Sequence, residues 1–168
     1  CYRDADQIYK IRTLYNQQGE ESEYDNVSGA VAPGFKEHVP GIETATRWTF
    51  IFNSDKFIDE QKNIITGECI VADTCFFDVF DAEILAGNPK EAFSQIAVAM
   101  VSESFAEKLG GVSEAVGQII YNEEMPNFKL EIAGVYKDYP YLRSVKNDVV
   151  VSMERVVQSA TKECVGEF

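Results

Sequence analysis

Asp73, Asp78 and Asp81 form the tightest group of carboxylates in the sequence. Two carboxylates held in different environments can divide general acid from general base work, because each environment sets its own proton affinity. The same residues also have plainer roles. Asp73, followed by Thr74, suits the cap of a short helix, and Asp81 suits a turn. The plain reading is preferred; a carboxylate hydrolase on Asp73 and Asp78 would need one pocket holding both side chains. A calcium loop requires D-x-D-x-D-G and a distal glutamate, a pattern absent here. Ser102 and Ser104 lack the G-x-S-x-G surround of a nucleophile elbow. The one histidine, His38, stands beside Pro40 at an expected helix end, so a Ser-His pair gives way to a surface histidine. Gly110, Gly111 and Gly117 lack the lysine and spacing of a phosphate loop and read as a linker.

The four cysteines are Cys1, Cys69, Cys75 and Cys164. None forms a C-x-x-C pair, which argues against a redox motif and against zinc. Buried or incidental thiols are the preferred reading, although a Cys69–Cys75 bridge is sterically conceivable in an oxidising compartment. Asn26-Val27-Ser28 matches a glycosylation sequon, a pattern common by chance. Catalytic residues, metal sites and cofactors are therefore not expected. Aromatic contact is the remaining route to function. Tyr136, Tyr139 and Tyr141 cluster around Pro140 in a turn, where they could anchor a partner or staple a loop onto the core. The staple is preferred, with partner contact kept as the alternative.

The elements that must position these residues follow from periodicity. Residues 7–15 alternate Tyr9, Ile11, Thr13 and Tyr15 against Lys10 and Arg12, predicting a strand. Residues 17–26 are polar and predict a hairpin tip or loop. A helix is expected within 28–39, with Ser28 as candidate cap and firm turns over 34–38 after Pro33 and Gly34. Thr46, Trp48, Phe50 and Phe52 alternate through a long strand over 44–52. Charged residues 54–63 lead to short strands at 64–66 and 69–72. A short helix over 75–80, a strand over 82–86 and a helix opening at Pro89 follow. Residues 96–101 (I-A-V-A-M-V) form a continuous apolar run, the mark of a buried strand. Ser102 caps a helix over 103–109 that closes at Gly110-Gly111. Strands over 118–121, 129–136 and 148–152, then a helix over 153–160, complete the chain. Hairpins mixed with short helices make the fold class α+β, with mixed, largely antiparallel sheets.

Twenty-eight acidic residues against 15 basic ones give a net charge of −13. That field disfavours nucleic acid and anionic lipid surfaces, and its spread along the chain reads as a solvated surface, with a cationic partner as the lesser alternative. No stretch approaches the roughly 18 apolar residues that cross a bilayer, and Tyr2-Arg3-Asp4-Ala5-Asp6, directly after Cys1, do not form a signal peptide. A lipid-anchored surface module acylated on Cys1 is the competing reading for function.

Several segments, taken in order, resemble the periplasmic core domain of MacB/FtsX-like permeases from Bacteroidetes. The opening D-Q-I-Y-K-I of residues 6–11 is similar to that family's first strand. Val39-Pro40-Gly41-Ile42-Glu43 with Thr46-Arg47 resembles its "P-x-V-E…R" segment. Phe76-Phe77-Asp78-Val79-Phe80 followed by Leu85-Ala86-Gly87-Asn88-Pro89 resembles "FF-x-x-F…L-x-G-D-P", with Asn88 where Asp is commoner. Residues 101–109 (V-S-E-S-F-A-E-K-L) resemble "ISE-x-x-A-x-K-x-F/L". Val116-Gly117-Gln118, then Gly134-Val135-Tyr136-Lys137-Asp138-Tyr139-Pro140 and Ser144, complete the series. The resemblance implies a single α+β domain over 1–168, organised as two lobes with one inserted in the other and the C-terminal part cut short. It implies a non-catalytic module on the periplasmic side of the bacterial inner membrane. That module lies between transmembrane helices of an ABC-transporter permease and transmits conformational change or contacts substrate. Implied partners are those helices, an ATP-binding subunit or domain, periplasmic proteins and a second permease copy in a homodimer.

Overall fold

Strands of the described residues are short, and most are covered on at least one face. The computed structural model describes residues 7–17, 19–25, 27–28, 31–138 and 147–154. β1 (Thr13–Gln17) and β2 (Glu20–Tyr24) form an antiparallel hairpin, followed by helix α1 (Val31–His38). Then come β3 (Trp48–Phe50), β4 (Lys56–Asp59), β5 (Ile64–Thr66) and β6 (Cys69–Ala72), and the short helix α2 (Phe76–Val79). β7 (Ile84–Ala86), α3 (Pro89–Ala92), β8 (Val98–Ser102), α4 (Glu103–Glu107) and α5 (Val112–Ala115) follow. β9 (Ile119–Asn122), β10 (Lys129–Tyr136) and β11 (Val149–Ser152) close the order. No helix among the described residues is long and apolar enough to cross a membrane.

All strands but the first two join one nine-stranded sheet in the order β3-β6-β11-β8-β10-β9-β4-β5, with β7 added beside β10. The β8–β10 and β6–β11 pairs are parallel and the rest antiparallel. The period-two alternation of the central strands feeds two cores. On one face Cys69, Val71, Ala99, Val101, Val149 and Val151 pack with Phe105 and Ala106 of α4 and Ala115 of α5. On the other, Ile70, Ala72, Val98, Met100 and Val150 pack with Phe76 and Phe77 of α2 and Ala92 of α3. The apolar run before Ser102 is therefore a strand buried on both sides, as parallel-paired strands require.

β10 changes face midway. Leu130 and Ile132 point into the first core, and a register shift between Ile132 and Gly134 makes Val135 point there too. Tyr136 then falls into the second core. An extra residue in one strand reverses the side-chain parity beyond it. Gly134 is required at this crossing, since a Cβ there would lie 2.4 Å from the Ala86 carbonyl oxygen and 2.8 Å from Met100 Cε.

Several expected elements differ in extent. The first strand starts at Thr13, and the polar stretch expected as a loop supplies β2, because pairing with β1 and not burial holds it. The long strand over 44–52 contracts to Trp48–Phe50. Helix α1 begins at Val31, ahead of the firm turns expected at 34–38. Pro33 is tolerated there because first-turn amides lack intrahelical partners anyway. The charged stretch 54–63 holds β4. The glycine linker 110–117 holds α5. Ser102 caps α4 as expected, its hydroxyl accepting from Phe105 N at 3.2 Å. Asn88 caps α3 by accepting from Lys90 N at 3.0 Å, with Pro89 first in the helix. Only Met153 and Glu154 of the helix expected over 153–160 lie within the described residues.

Candidate functional site

The carboxylate group does not assemble. Asp73 is not the cap of α2; Cys75 holds that position and makes no side-chain capping bond. The Asp73 carboxylate instead receives Arg47 in a two-pronged pair, Nη2 to Oδ1 at 2.8 Å and Nε to Oδ2 at 3.0 Å, and Arg47 N adds a third bond at 2.8 Å. That hydrogen bonding raises the proton affinity of the guanidinium further. A carboxylate so engaged is a structural tie between the segment before β3 and the end of β6. Asp78 faces solvent with Lys90 at 3.6 Å, and Asp81 occupies a left-handed turn at φ 46°. The two carboxylates share no pocket, so the hydrolase reading fails.

Ser102 and Ser104 stand 3.3 Å apart between their hydroxyl oxygens, and Ser102 Oγ donates to Asp148 Oδ1 at 3.2 Å. The other Asp148 oxygen accepts from Glu68 N at 2.9 Å. This cluster fastens the adjoining ends of β8, β11 and β6. It contains no histidine, since His38 lies exposed on α1 beside Glu37, and Ser102 is buried with its hydroxyl committed to Phe105 N and Asp148. Cys69 and Cys75 are both free thiols, so the conceivable bridge between them is not made. Burial raises the proton affinity of both, most strongly for Cys69, and the thiolate form needed for attack is suppressed. No group of three metal-ligating side chains occurs among the described residues.

Tyr136 is fully buried, its ring against Phe77 at 5.3 Å between centroids and its hydroxyl donating to the Asn147 carbonyl. It ties the end of β10 to the start of β11, and a ring without exposed surface offers nothing to a partner. Tyr139 and Tyr141 lie outside the described residues.

The β1–β2 hairpin presents what the other constellations lack, an accessible surface with several kinds of chemistry. Its register places Thr13, Tyr15 and Gln17 on one face with Tyr24, Ser22 and Glu20. There an open groove of about 340 Å³ is lined by Tyr15, Gln17, Glu20, Ser22 and Tyr24. The two tyrosine rings meet edge to face with centroids 6.4 Å apart. Leu14 and Glu23 occupy the opposite face, where Arg12 reaches Glu23 and Asp25, each at 3.0 Å, and Lys10 reaches Asp25 at 2.8 Å. The hydrogen bond from Lys10 holds the Asp25 carboxyl below its ordinary value, against an opposing effect of desolvation. Exposed tyrosines with hydroxyl, amide and carboxylate neighbours suit polypeptide contact; no side chain there is placed for bond-making chemistry. Polar alternation around Gly19 is the sequence signal that could have marked the hairpin.

The fold recurs in known proteins. The chain is similar to the crystal structure of a domain assigned to a permease protein of Porphyromonas gingivalis. Identity is 28%, with a TM-score of 0.68, over 79% of this chain and 60% of that one. The fold is shared with the periplasmic region of MacB from Actinobacillus actinomycetemcomitans, at 14% identity and a TM-score of 0.62, over 81% of this chain and 59% of that one. It is also shared with the extracellular domain of the ABC-type transporter YknZ from Gram-positive bacteria, at 19% identity and a TM-score of 0.57, over 80% and 67%. The chain thus spans about three fifths of the first two relatives. No protein of curated function matches it. The sequence model of the MacB-like periplasmic core domain matches residues 2–164, nearly the whole chain, and the chain belongs to that family.

Proposed function

We propose that this chain is the extracytoplasmic module of an ABC-transporter permease on the periplasmic side of the bacterial inner membrane. It performs no catalysis; it transmits conformational change and contacts substrate or partner proteins. The family match over residues 2–164 carries this reading. The physical design is consistent with it: a sheet whose central strands are packed on both faces moves as one body, because dense cores shift between discrete arrangements and do not deform continuously. Its partners in this reading are the permease's own transmembrane helices, an ATP-binding subunit or domain, periplasmic proteins and a second permease copy. Nucleic acid is disfavoured by the charge of −13. We place the hairpin and the nine-stranded sheet in two lobes of one domain, a division supported by the hairpin strands pairing only with each other.

Location is tested by labelling. In the full permease, Met125→Cys, on an exposed loop between β9 and β10, should react with a membrane-impermeant maleimide once the outer membrane alone is opened. Reaction only after the inner membrane is broken would overturn the placement. Replacing the module with a flexible linker should leave ATP hydrolysis measurable and abolish its coupling to transport; full transport without the module would remove the mechanical role.

A further inference from the structure

The two faces of the large sheet are not equally covered. Helices α2 and α3 pack on the second face over β6, β8, β11 and the end of β10. None of the residues of that core comes from β4, β5 or β9. Alternation along these strands shows what is left open. Phe57, Asp59, Ile65, Ile120 and Leu130 point into the covered side, whereas Lys56, Ile58, Ile64, Ile119, Tyr121 and Lys129 point away from it. Register aligns four of the outward residues in a single row across four strands: Ile64 opposite Ile58, Ile58 opposite Tyr121, Tyr121 opposite Lys129. Ile64 is 67% exposed. Lone exposed apolar residues are ordinary, but a cross-strand row on a sheet face that no described helix covers marks a contact surface.

Charge states which contact. The row is flanked by lysines in a chain whose net charge is −13. Lys62, in the β4–β5 turn, stands 5.4 Å from the Tyr121 ring centre and donates to the Tyr121 hydroxyl at 3.2 Å. Neither Lys62 nor Lys129 forms an ion pair among the described residues, while Lys10, Arg12, Arg47, Lys90 and Lys137 each do. Lys56 on the same face is spent on Glu123 at 3.7 Å. Glu131 follows Lys129 on this face and marks its boundary. Two cations outside ion pairs, both beside Tyr121 at one end of an Ile-Ile-Tyr row, complement a segment with the opposite pattern. Screening over about 8 Å at physiological salt lets these local charges outweigh the overall negative field at contact.

We propose that the open face of β5-β4-β9-β10 is the docking surface for an acidic partner polypeptide. The partner's apolar side chains lie on Ile58 and Ile64, and its carboxylates meet Lys62 and Lys129. The inference gives a place and a chemistry to the partner contact of the reading above and rests on that part of it. A second copy of this chain is the poorer occupant, since two bodies of charge −13 repel and a patch meeting a different patch does not close into a dimer.

The test uses the ¹⁵N-labelled chain and two synthetic ten-residue peptides, one alternating leucine with glutamate and the other leucine with lysine. The acidic peptide should shift amide resonances within residues 56–66, 119–122 and 129–131, and the basic one should not. Reversing both cations (Lys62→Glu with Lys129→Glu) should weaken the acidic peptide roughly tenfold at unchanged melting temperature. Ile64→Ser should weaken it through the apolar contact instead. Three outcomes would overturn the proposal: equal binding of both peptides, shifts confined to the hairpin, or self-association abolished by Ile64→Ser. None of them bears on the maleimide labelling, so this surface and the transporter reading fail separately.

Discussion

Strands β8 and β11 and strands β1 and β2 are made of the same backbone and owe their order to different forces. In β8 and β11 every residue is buried, alternate side chains feed two cores, and strand neighbours stand on both edges. In the hairpin nine of the ten strand residues are exposed, Thr13 being the exception. What holds the hairpin is a ladder, one aromatic pair and three surface ion pairs. Burial contributes roughly 1.5–3 kcal/mol per large apolar side chain, and an exposed cross-strand pair about 0.2–1 kcal/mol. The sheet can therefore carry load as a unit. An isolated two-stranded hairpin is marginal in water and gains most from whatever it touches.

The largest expected effect comes from Phe105→Ala. The ring is fully buried, edge to face with Phe57 at 5.8 Å, and it fills the space beside Gly67, where a Cβ would lie 2.7 Å from it. Truncation should cost about 3–5 kcal/mol in urea unfolding of the sheet. A loss below about 1 kcal/mol would mean that the first core does not dominate, and the contrast with the hairpin would collapse. Gly134→Ala comes next. Its methyl group would meet the Ala86 carbonyl at the point where β7 joins β10, and the strands must separate to admit it. About 1–3 kcal/mol is expected, read by the same titration.

The sheet was the more legible of the two regions. Apolar runs announce β8 and β11, and Ser102 and Pro89 announce the helices they open, because burial and helix starts are local and leave their pattern in consecutive residues. β4 escaped for a definite reason. Its inward positions are Phe57 and Asp59, and the buried Asp59 carboxylate is satisfied by Asn63, whose amide N and Nδ2 each donate at 2.8 Å. A charge on the core side erases the alternation that would have marked the strand. The Arg47–Asp73 pair joins residues 26 apart, a relation no spacing rule contains. Arg47 was visible only as a letter in a family motif and Asp73 only as a cap. Which core Tyr136 enters is hidden from the sequence by the shift at Ile132–Gly134, since uninterrupted alternation would not turn it into the second core. The residues of β2 give no strand signal of their own and read only as a hairpin tip or loop, because the hairpin's faces differ in chemistry and not in hydrophobicity. The row across β5, β4, β9 and β10 needed the register before it could be seen at all.

The smallest expected effect is also the one that defines the comparison. Arg12 makes two of the hairpin's three ion pairs, and its side chain is about half exposed, as are Glu23 and Asp25. Pairs of this kind are screened by water and salt, and removing them by Arg12→Ala should change global stability by less than about 0.5 kcal/mol. The local consequence should be larger than the global one. Native-state hydrogen exchange should find amides of β8 and β11 opening only with global unfolding, while those of β1 and β2 open by a separate, lower-energy route. Arg12→Ala should speed the second set and leave the first unchanged. If both sets accelerate together, the hairpin unfolds with the sheet, and the two are one cooperative unit. If only the hairpin responds, its order is set independently of the sheet, as expected of a segment whose stabilising contacts lie largely outside the sheet's two cores.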